Sequence, residues 1–231
     1  MPNLHSLHVI VPTRGRPAAA AELIQAFDTT CTADTFLTFV VDDTDPNRHD
    51  YLDVVMSAPN VDLVIAPSRT MVEALNFVAA GVNEYAVGFM GDDHRPRTLG
   101  WDRAYLDALL DLKVGMVYGD DLFQHEQIPT QIAMTTDIVK ALGWMSPPDL
   151  VHMYVDNWWL ELGRRAGCIR YLPDVVVEHV HPAAGKVAWD EGHVRVNQPG
   201  MYHRDQATFA WLRVTDMPGA VAEVLALRAA A

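Results

Sequence analysis

Short runs of β-branched and aromatic residues alternate along the chain with segments whose apolar residues recur at helical spacing. In the amino-terminal half, four such runs are typical of buried strands: Ser6–Val11, Phe36–Val41, Val61–Ala66 and Tyr85–Met90. Helical spacing after three of these strands predicts helices: Pro17–Phe27, Met71–Ala80 and Trp101–Leu112. This alternation favours an α/β fold with a mostly parallel central sheet and helices on both of its faces.

After about residue 113 the pattern becomes less regular. It predicts further strands at Val114–Tyr118, Gln131–Thr135 and Ile169–His181, and further helices at Asp137–Leu142, Asp156–Ala166, Gln206–Leu212 and Ala220–Ala231. Neither an internal repeat nor a low-complexity linker interrupts the chain. The sequence therefore predicts one domain with a C-terminal elaboration.

The composition is that of a folded, acidic protein. Of the 231 residues, 50% are hydrophobic and 20% are charged, and the formal net charge is −13. That charge disfavours non-specific binding to nucleic acid or anionic lipid, and it suits a site that collects cations. No apolar stretch reaches the length of a membrane span, the amino terminus lacks the layout of a signal peptide, and Cys31 and Cys168 form no disulfide framework. We therefore expect a cytoplasmic protein without integral membrane contact.

The most informative polar segment, Gly91-Asp92-Asp93-His94, follows the fourth predicted strand. Ligands of open parallel sheets bind beyond the carboxyl ends of the strands. Two adjacent carboxylates repel each other unless a cation or hydrogen-bond donors lie nearby, and Mg²⁺ and Mn²⁺ prefer such oxygen ligands. Arg95 and Arg97 follow, within reach of phosphate oxygens. A solvated turn or a helix N-cap gives the same pattern, and spacing alone does not separate this segment from Gly119-Asp120-Asp121, which also follows a strand.

Two other strand ends carry candidate binding residues. The loop Pro12-Thr13-Arg14-Gly15-Arg16 opens a helix, and its amides and two arginines suit an anionic or heteroaromatic ligand. It matches neither the P-loop nor the dinucleotide-binding pattern. Asp42-Asp43 can accept hydrogen bonds from a ribose hydroxyl or the imide N–H of uracil, and Ser68-Arg69 adds a cation to the same edge. A charged surface turn is the plain alternative in each case.

Four segments together resemble those of a known family. In order and spacing, VIVPTRGRP, FVVDDTDP, SRTMVEALNFVAAG and FMGDDHRPRTLGWD resemble family 2-like glycosyltransferases with the GT-A fold, and especially short bacterial and phage-encoded members. The resemblance covers about residues 8–181. It implies a Rossmann-like, mostly parallel central sheet with a nucleotide-sugar-binding half at 1–113, an acceptor-side half at 114–200 and a C-terminal helical tail at 201–231.

The resemblance also implies roles for individual residues. The donor nucleotide would contact residues at the ends of all four strands: Pro12, Thr13, Arg14, Asp42, Asp43, Arg69 and Asp92. Asp42 or Asp43 matches the acid that binds uracil, and Arg69 a basic residue near the base or the diphosphate. The segment DDH occupies the place of the family's DxD metal motif, with Asp93 as the metal ligand and Asp92 in support.

Asp156, in the segment Met153–Trp159, matches the carboxylate that serves inverting members as catalytic base. An acceptor hydroxyl must lose its proton as it attacks the anomeric carbon, so a carboxylate within hydrogen-bonding reach is required. At the start of a helix Asp156 is equally suited to be an N-cap, with Trp158 and Trp159 in the core.

Histidines near the end of the long predicted strand complete the implied metal site. His179 and His181 are two residues apart and so point the same way. His181 matches a further metal ligand of many GT-A enzymes, although packed or surface histidines are the plain alternative. Four nearby residues are assigned to the surroundings: Glu178 and Lys186 would orient the site, and Asp190 and His193 would lie on a flexible lid.

The sequence is thus predicted to encode a glycosyltransferase that requires Mn²⁺ or Mg²⁺. It would move a sugar from a nucleotide-diphosphate sugar, most simply a UDP-sugar, to an acceptor hydroxyl with inversion, with Arg69 and Arg95 sharing the charge of the diphosphate. Candidate acceptors are a saccharide, a small molecule or, in the host cytoplasm of a phage-encoded member, a hydroxymethylated DNA base, for which Arg164, Arg165 and Arg170 offer a basic cluster. The alternatives are a sugar-nucleotidyltransferase and a non-catalytic nucleotide-sugar-binding module. Sugar-nucleotidyltransferases open with a glycine-rich GxGTRL-like loop, which this sequence lacks.

Overall fold

The computed structural model describes residues 6–56 and 58–231; residues 1–5 and Ser57, which fall in the predicted half at 1–113, lie outside it. Its strands are β1 (Ser6–Thr13), β2 (Asp34–Asp42), β3 (Val61–Ala66), β4 (Ala86–Phe89), β5 (His94–Pro96), β6 (Met116–Asp120), β7 (Ile132–Thr135) and β8 (Ile169–His179). Its helices are α1 (Pro17–Thr30), α2 (Asp50–Val55), α3 (Met71–Ala79), α4 (Trp101–Leu112), α5 (Thr136–Leu142), α6 (Val155–Ala166), α7 (Glu191–Val196), α8 (Pro199–Thr215) and α9 (Met217–Ala230). None of the helices in this part of the chain combines the length and the apolar character that crossing a bilayer requires.

The strands form one sheet in the order β3-β2-β1-β4-β7-β6-β8-β5. Strands β1 to β4 are parallel neighbours, and β6 is parallel to β8. Strand β7 runs antiparallel to β4 and β6, and β5 runs antiparallel to β8. The predicted mostly parallel sheet is therefore confirmed, and the carboxyl ends of the first four strands meet at one edge.

Helices cover both faces of the sheet, as predicted. Along β1, Leu7, Val9 and Val11 face the core closed by α1, α2 and α4, whereas Ile10 faces the opposite core. That second core is closed by α3, α5, α6, α8 and α9. Successive side chains of a strand point to opposite faces, so a strand buried on both sides has a continuous apolar sequence. This explains why β1, β2 and β4 are visible in the sequence as largely apolar runs, whereas the half-exposed β3 contains Asp62.

Several boundaries differ from the predicted ones. The helix expected at Gln206–Leu212 extends over Pro199–Thr215 as α8, and α9 begins at Met217 instead of Ala220. The sequence pattern does not predict α2, α7 or β5, because elements of three to six residues hold too few apolar positions to show a period. The helices of the C-terminal elaboration contribute buried side chains to the second core: Leu212, Met217, Ala220 and Val224.

The short strand β5 changes the local picture at the end of β4. The sequence analysis placed the segment Gly91-Asp92-Asp93-His94 directly after β4, and in the structure the turn ends at Asp93 and His94 begins β5. In the antiparallel pair of β5 with β8, His94 lies opposite His179. The pairing therefore brings the carboxyl end of β8 against the acidic turn that follows β4.

Gly119 lies where the backbones of β6 and β8 approach each other closely. A Cβ atom at this position would lie 2.3 Å from the carbonyl oxygen of Val175 and 2.9 Å from the hydroxyl of Tyr105. The pairing register of β6 with β8 shifts directly after Gly119. The glycine of the Gly119-Asp120-Asp121 segment thus serves the packing of the sheet.

We expect the substitution Gly119→Ala to lower the free energy of unfolding by about 1–3 kcal/mol, because the added methyl group overpacks the β6–β8 contact. Urea denaturation followed by circular dichroism measures this change. The matched control is Gly219→Ala in the first turn of α9, where an added Cβ meets no atom within 4 Å. The control should leave the free energy of unfolding unchanged or raise it slightly, and equal destabilisation by the two variants would contradict the packing role.

Candidate active site

A cavity of about 610 Å³ opens at the carboxyl ends of the first four strands. Its lining includes nine of the ten residues predicted as catalytic, donor-binding or metal-binding: Pro12, Thr13, Arg14, Asp42, Arg69, Asp92, Asp93, Asp156 and His181. The tenth, Asp43, is not among the lining residues of the described chain. Its carboxylate lies 2.7 Å from Nη1 of Arg69, at the rim of the site.

Asp92 and Asp93 are neighbours, yet their side chains have different partners. The buried carboxylate of Asp92 accepts hydrogen bonds from Oγ1 of Thr13 at 2.6 Å and from Nη1 of Arg16 at 2.9 Å. Burial and the charge of Asp93 raise the pKa of Asp92, and these two donors oppose that rise. Asp92 thereby ties the β1 loop to the turn after β4, and its oxygens are occupied by protein donors.

Asp93 instead faces imidazole rings. Its Oδ2 lies 3.3 Å from Nε2 of His179 and 3.4 Å from Nε2 of His193, and its Oδ1 lies 3.6 Å from Nδ1 of His94. Burial alone would raise the pKa of Asp93, but the hydrogen bonds to His179 and His193 outweigh it and hold the pKa well below its ordinary value. The carboxylate is therefore ionised and surrounded by nitrogen donors. We call Asp93 and its neighbours His94, His179, His181 and His193 the Asp93 cluster.

Two overlapping groups of the Asp93 cluster have the spacing of metal ligands. The donor atoms of Asp93, His181 and His193 lie within 4.8 Å of one another, and so do those of Asp93, His94 and His179. In the second group, Nδ1 of His94 already accepts a hydrogen bond from the Gly91 amide at 2.9 Å. In the first, Nδ1 of His181 likewise accepts from the Ala183 amide, at 3.1 Å. The rings of His94 and His179 are stacked, so their in-plane lone pairs do not converge on one point, and this ring geometry favours the first group.

The protonation state of the rings fits metal binding. Burial is the main cause that lowers the pKa of His94 to about 3 and that of His181 to about 4. Because of these low pKa values, His94 and His181 are neutral near pH 7, which is the form of imidazole that can ligate a metal ion. The ring centroids of His181 and His193 lie 5.0 Å apart, and the rings of His94 and His179 are stacked at 4.3 Å.

The sequence analysis offered both arginines of the β1 loop to an anionic ligand but gave a donor contact to Arg14 alone, and the structure adds Arg16 to the site. Besides its contact with Asp92, its Nη2 lies 2.6 Å from Asp190 and 2.6 Å from Nδ1 of His193. Burial lowers the pKa of this guanidinium, but the carboxylates of Asp92 and Asp190 outweigh burial and raise it further above its ordinary value. Arg14, which the sequence analysis did select, contacts Asp42 at 3.2 Å. The two arginines of the β1 loop therefore serve opposite ends of the cavity.

The Arg16 contacts explain how the segment after β8 reaches the site. Asp190 is the N-cap of α7 and accepts a hydrogen bond from the His193 amide at 2.8 Å. His193 itself is buried among Arg16, Asp93 and Asp190. The sequence signal for this arrangement was an N-cap residue three positions before a histidine, which is too common a pattern to identify a ligand.

The end of β2 carries a charged group that suits a nucleoside. Oδ1 of Asp42 accepts from Nη1 of Arg69 at 2.9 Å, and the carboxylate also accepts from Oγ1 and the amide of Thr44. Burial would raise the pKa of Asp42, but the Thr44 hydrogen bonds and the charges of Arg14 and Arg69 lower it. Asp42 is therefore an ionised acceptor at the cavity wall.

Asp156 lies in the first turn of α6 and lines the cavity. The alternative role as an N-cap is wrong, since Tyr154 holds the N-cap position. Burial raises the pKa of Asp156, and the hydrogen bond from the Asn157 amide at 2.8 Å opposes this rise. A carboxylate with a raised pKa is a better proton acceptor than an ordinary one. Trp158 and Trp159 are 0% and 1% exposed, so both belong to the core.

Other charged residues singled out in the sequence lie outside the cavity lining of the described chain. Arg95 donates at 2.6 Å to Glu22 and at 2.7 Å to the carbonyl oxygens of Asp92 and His94, so its expected contact with a diphosphate is wrong. Arg97 pairs with Glu178 at 2.7 Å. Glu178 pairs in turn with Lys186 at 3.0 Å. Arg97, Glu178 and Lys186 thus brace the end of β5 against β8 and the segment that follows it, whereas Arg95 ties β5 to α1.

Two further clusters have structural partners. The buried carboxylate of Asp121 accepts hydrogen bonds from Oγ1 of Thr130 and from the amides of residues 123–125, so the Gly119-Asp120-Asp121 segment anchors a loop. In the basic cluster, Arg165 pairs with Glu161 and Arg170 pairs with Asp111 at 2.6 Å. Neighbouring acids thus offset two of the three positive charges of that cluster.

Comparison with known proteins identifies the fold. No protein-family model and no curated protein matches the sequence. Among solved structures, S. aureus TarS matches with a TM-score of 0.60 and 13% identity over 90% of this chain, which spans 43% of the TarS chain. TarS 1–349 in complex with UDP-GlcNAc matches with a TM-score of 0.58 and 12% identity, over 87% of this chain and 70% of that one. The mannosyltransferase PcManGT from Pyrobaculum calidifontis, in complex with GDP-Man and Mn²⁺, matches with a TM-score of 0.61 and 16% identity, over 97% of this chain and 75% of that one.

These likenesses concern the fold, since all of the identities are 16% or lower. The chain has the GT-A fold that the sequence resemblance implied, and it shares this fold with glycosyltransferases.

Proposed function

We propose that this protein is a metal-dependent glycosyltransferase that moves a sugar from a nucleotide-diphosphate sugar to an acceptor hydroxyl with inversion. The Asp93 cluster carries this proposal, because it sets an ionised carboxylate and neutral imidazoles in a cavity at the carboxyl edge of the sheet. The bound ligands of two proteins with this fold, UDP-GlcNAc and GDP-Man with Mn²⁺, support the same chemistry.

The donor set of the Asp93 cluster fits a divalent transition metal. A carboxylate oxygen with imidazole nitrogens suits Mn²⁺ better than Mg²⁺, which prefers oxygen ligands alone. Asp93, His181 and His193 would hold the ion from one side. When bound, the ion would neutralise the negative charge that develops on the departing diphosphate.

Residues at the strand ends would bind the rest of the donor. The ionised carboxylate of Asp42 would accept a hydrogen bond from the imide N–H of a uracil, which favours a UDP-sugar. Arg14 and Arg69 contact Asp42 and would hold it in place beside the base. Arg16, whose guanidinium lies beside Asp92 and His193, would contact the diphosphate.

Asp156 would act as the catalytic base. It would take the proton of the acceptor hydroxyl while the acceptor oxygen forms a bond to the anomeric carbon and the bond from that carbon to the diphosphate oxygen breaks. Attack from the side opposite the leaving diphosphate inverts the anomeric centre. We propose a saccharide or a small molecule as acceptor, since the ion pairs of Arg165 and Arg170 weaken the case for a hydroxymethylated DNA base.

The alternative functions have less support. A sugar-nucleotidyltransferase would need a glycine-rich loop and a lysine at the phosphates, whereas no lysine is among the cavity-lining residues of the described chain. A non-catalytic binding module would have no use for the carboxylate of Asp156. This carboxylate lines the cavity, and burial raises its pKa.

The proposed metal ligand is tested by a single substitution. Asp93→Ala should weaken Mn²⁺ binding in the presence of UDP by at least about tenfold, because the ion loses its only anionic protein ligand in the favoured group. Isothermal titration calorimetry measures the affinity. Asp120→Ala is the matched control, since Asp120 accepts its hydrogen bonds from Leu122 and His125. Unchanged Mn²⁺ affinity in Asp93→Ala would refute the assignment.

The proposed catalytic base is tested in the same way. Asp156→Asn should lower kcat for release of nucleoside diphosphate from a UDP-sugar by about 10²- to 10⁴-fold, because the amide accepts no proton. The donor KM should stay within about threefold, since the carboxylate acts on the acceptor. The reaction is followed with Mn²⁺, and with EDTA as the metal-free control.

Asp149→Asn serves as the matched variant, because Asp149 is an exposed loop residue of the same region. It should retain the wild-type kcat. Full activity of Asp156→Asn would remove this residue as the base, and equal losses in both variants would point to a general effect on the fold.

A further inference from the structure

A buried carboxylate on α8 holds the loop that leads into Asp156. The side chain of Asp205 is 0% exposed. Its oxygens accept hydrogen bonds from the backbone amides of Val151 at 3.3 Å, His152 at 2.8 Å and Met153 at 2.7 Å. Burial of a carboxylate is costly unless hydrogen bonds compensate, and here three successive amides do so. The loop 151–153 is thus wrapped around one side chain of the C-terminal elaboration.

Aromatic contacts add a second attachment beside the first. Tyr154 has a φ of 65°, in the left-handed region that a residue with a side chain adopts only when its surroundings hold it there. Its ring is stacked on Phe209 at 5.4 Å and lies 5.3 Å from Tyr202. Residues 202, 205 and 209 recur at helical spacing, so one face of α8 holds the whole loop from 151 to 154.

A third contact comes from the opposite side of the loop. The carbonyl oxygen of Val151 accepts from the Val72 amide of α3 at 3.4 Å. The loop therefore lies between α3 and α8. Residues 151–156 all line the cavity, and α6 begins at Val155, one residue before Asp156. The position of the Asp156 carboxylate consequently depends on how this loop is held.

We propose that Asp205 is a positioning residue for the reaction: it anchors the loop 151–154 and thereby places the Asp156 carboxylate at the acceptor side of the cavity. This inference rests on the proposed function, and it makes α8 part of the active site although α8 lies beyond residues 8–181. A displacement of about 1 Å in a catalytic group can cost about 10²-fold in rate. The anchor therefore acts on kcat without touching the donor.

The chain offers a chemically matched control. Asp102 is also 0% exposed, and it likewise accepts hydrogen bonds from backbone amides, those of Thr32, Ala33 and Arg103. It anchors the loop between α1 and β2, which lies outside the cavity lining. Asp205→Asn and Asp102→Asn each replace the accepting carboxylate by a neutral amide and so weaken the same kind of anchor, once beside Asp156 and once away from it.

The test compares both variants with the wild-type protein by three measurements: thermal unfolding, steady-state kinetics of nucleoside diphosphate release, and amide hydrogen exchange. We expect both variants to lose some thermal stability. Asp205→Asn should lose at least about tenfold in kcat with a donor KM within about threefold of wild type. Exchange in a peptide that covers residues 149–156 should become faster in this variant alone, and Asp102→Asn should keep the wild-type kcat.

Three results would overturn the inference. These are an unchanged exchange rate at residues 149–156 in Asp205→Asn, faster exchange there without loss of kcat, and an equal loss of kcat in Asp102→Asn. If Asp205→Asn does not fold, Phe209→Leu replaces it, since it removes the ring stacked on Tyr154 from the same helix face. Absence of any sugar-nucleotide turnover in the wild-type protein would instead refute the proposed function, while hydrogen exchange would still decide whether Asp205 holds the loop.

Discussion

Two adjacent carboxylates in a buried turn each need separate partners to offset the cost of burying their charge. The rest of the site depends on which partners Asp92 and Asp93 have. Like charges at this distance oppose each other's ionisation. Asp92 takes its donors from the β1 loop, through Thr13 and Arg16. Asp93 takes its partners from β8 and α7, through His179 and His193. The turn after β4 therefore joins the end of β1 and its loop to the histidines of β8 and α7, and the ionised Asp93 faces the cavity.

Much of the fold could be predicted from the sequence, because the central strands have largely apolar runs and the helices between them keep a clear period. The prediction was less accurate where the determining contacts are distant in sequence. The pairing of β5 with β8 joins residues more than 80 positions apart, and three residues cannot show a period. Helix α8 has apolar and polar residues mixed along its length, because it buries few of its side chains, and its extent was underestimated.

The candidate site was predictable where a motif sits directly after a strand, as at Thr13, Asp42 and Asp93. It was not predictable where a side chain reaches the site from a segment without a pattern. Arg16 could be told from Arg14 only once Asp190 and His193 were seen beside it. Arg95 follows the acidic turn closely, yet the alternation of β5 turns it toward Glu22. Asp205 carries no motif at all, and its importance comes from three amides more than 50 residues away.

Anomalous diffraction at the manganese absorption edge, from crystals grown with UDP and Mn²⁺, tests the central claim most directly. The account predicts a peak bonded to a carboxylate oxygen of Asp93 and to ring nitrogens of His181 and His193, with the diphosphate oxygens of UDP on its open side. A manganese peak away from Asp93, or UDP bound in the cavity with no ion between its diphosphate and Asp93, would contradict it.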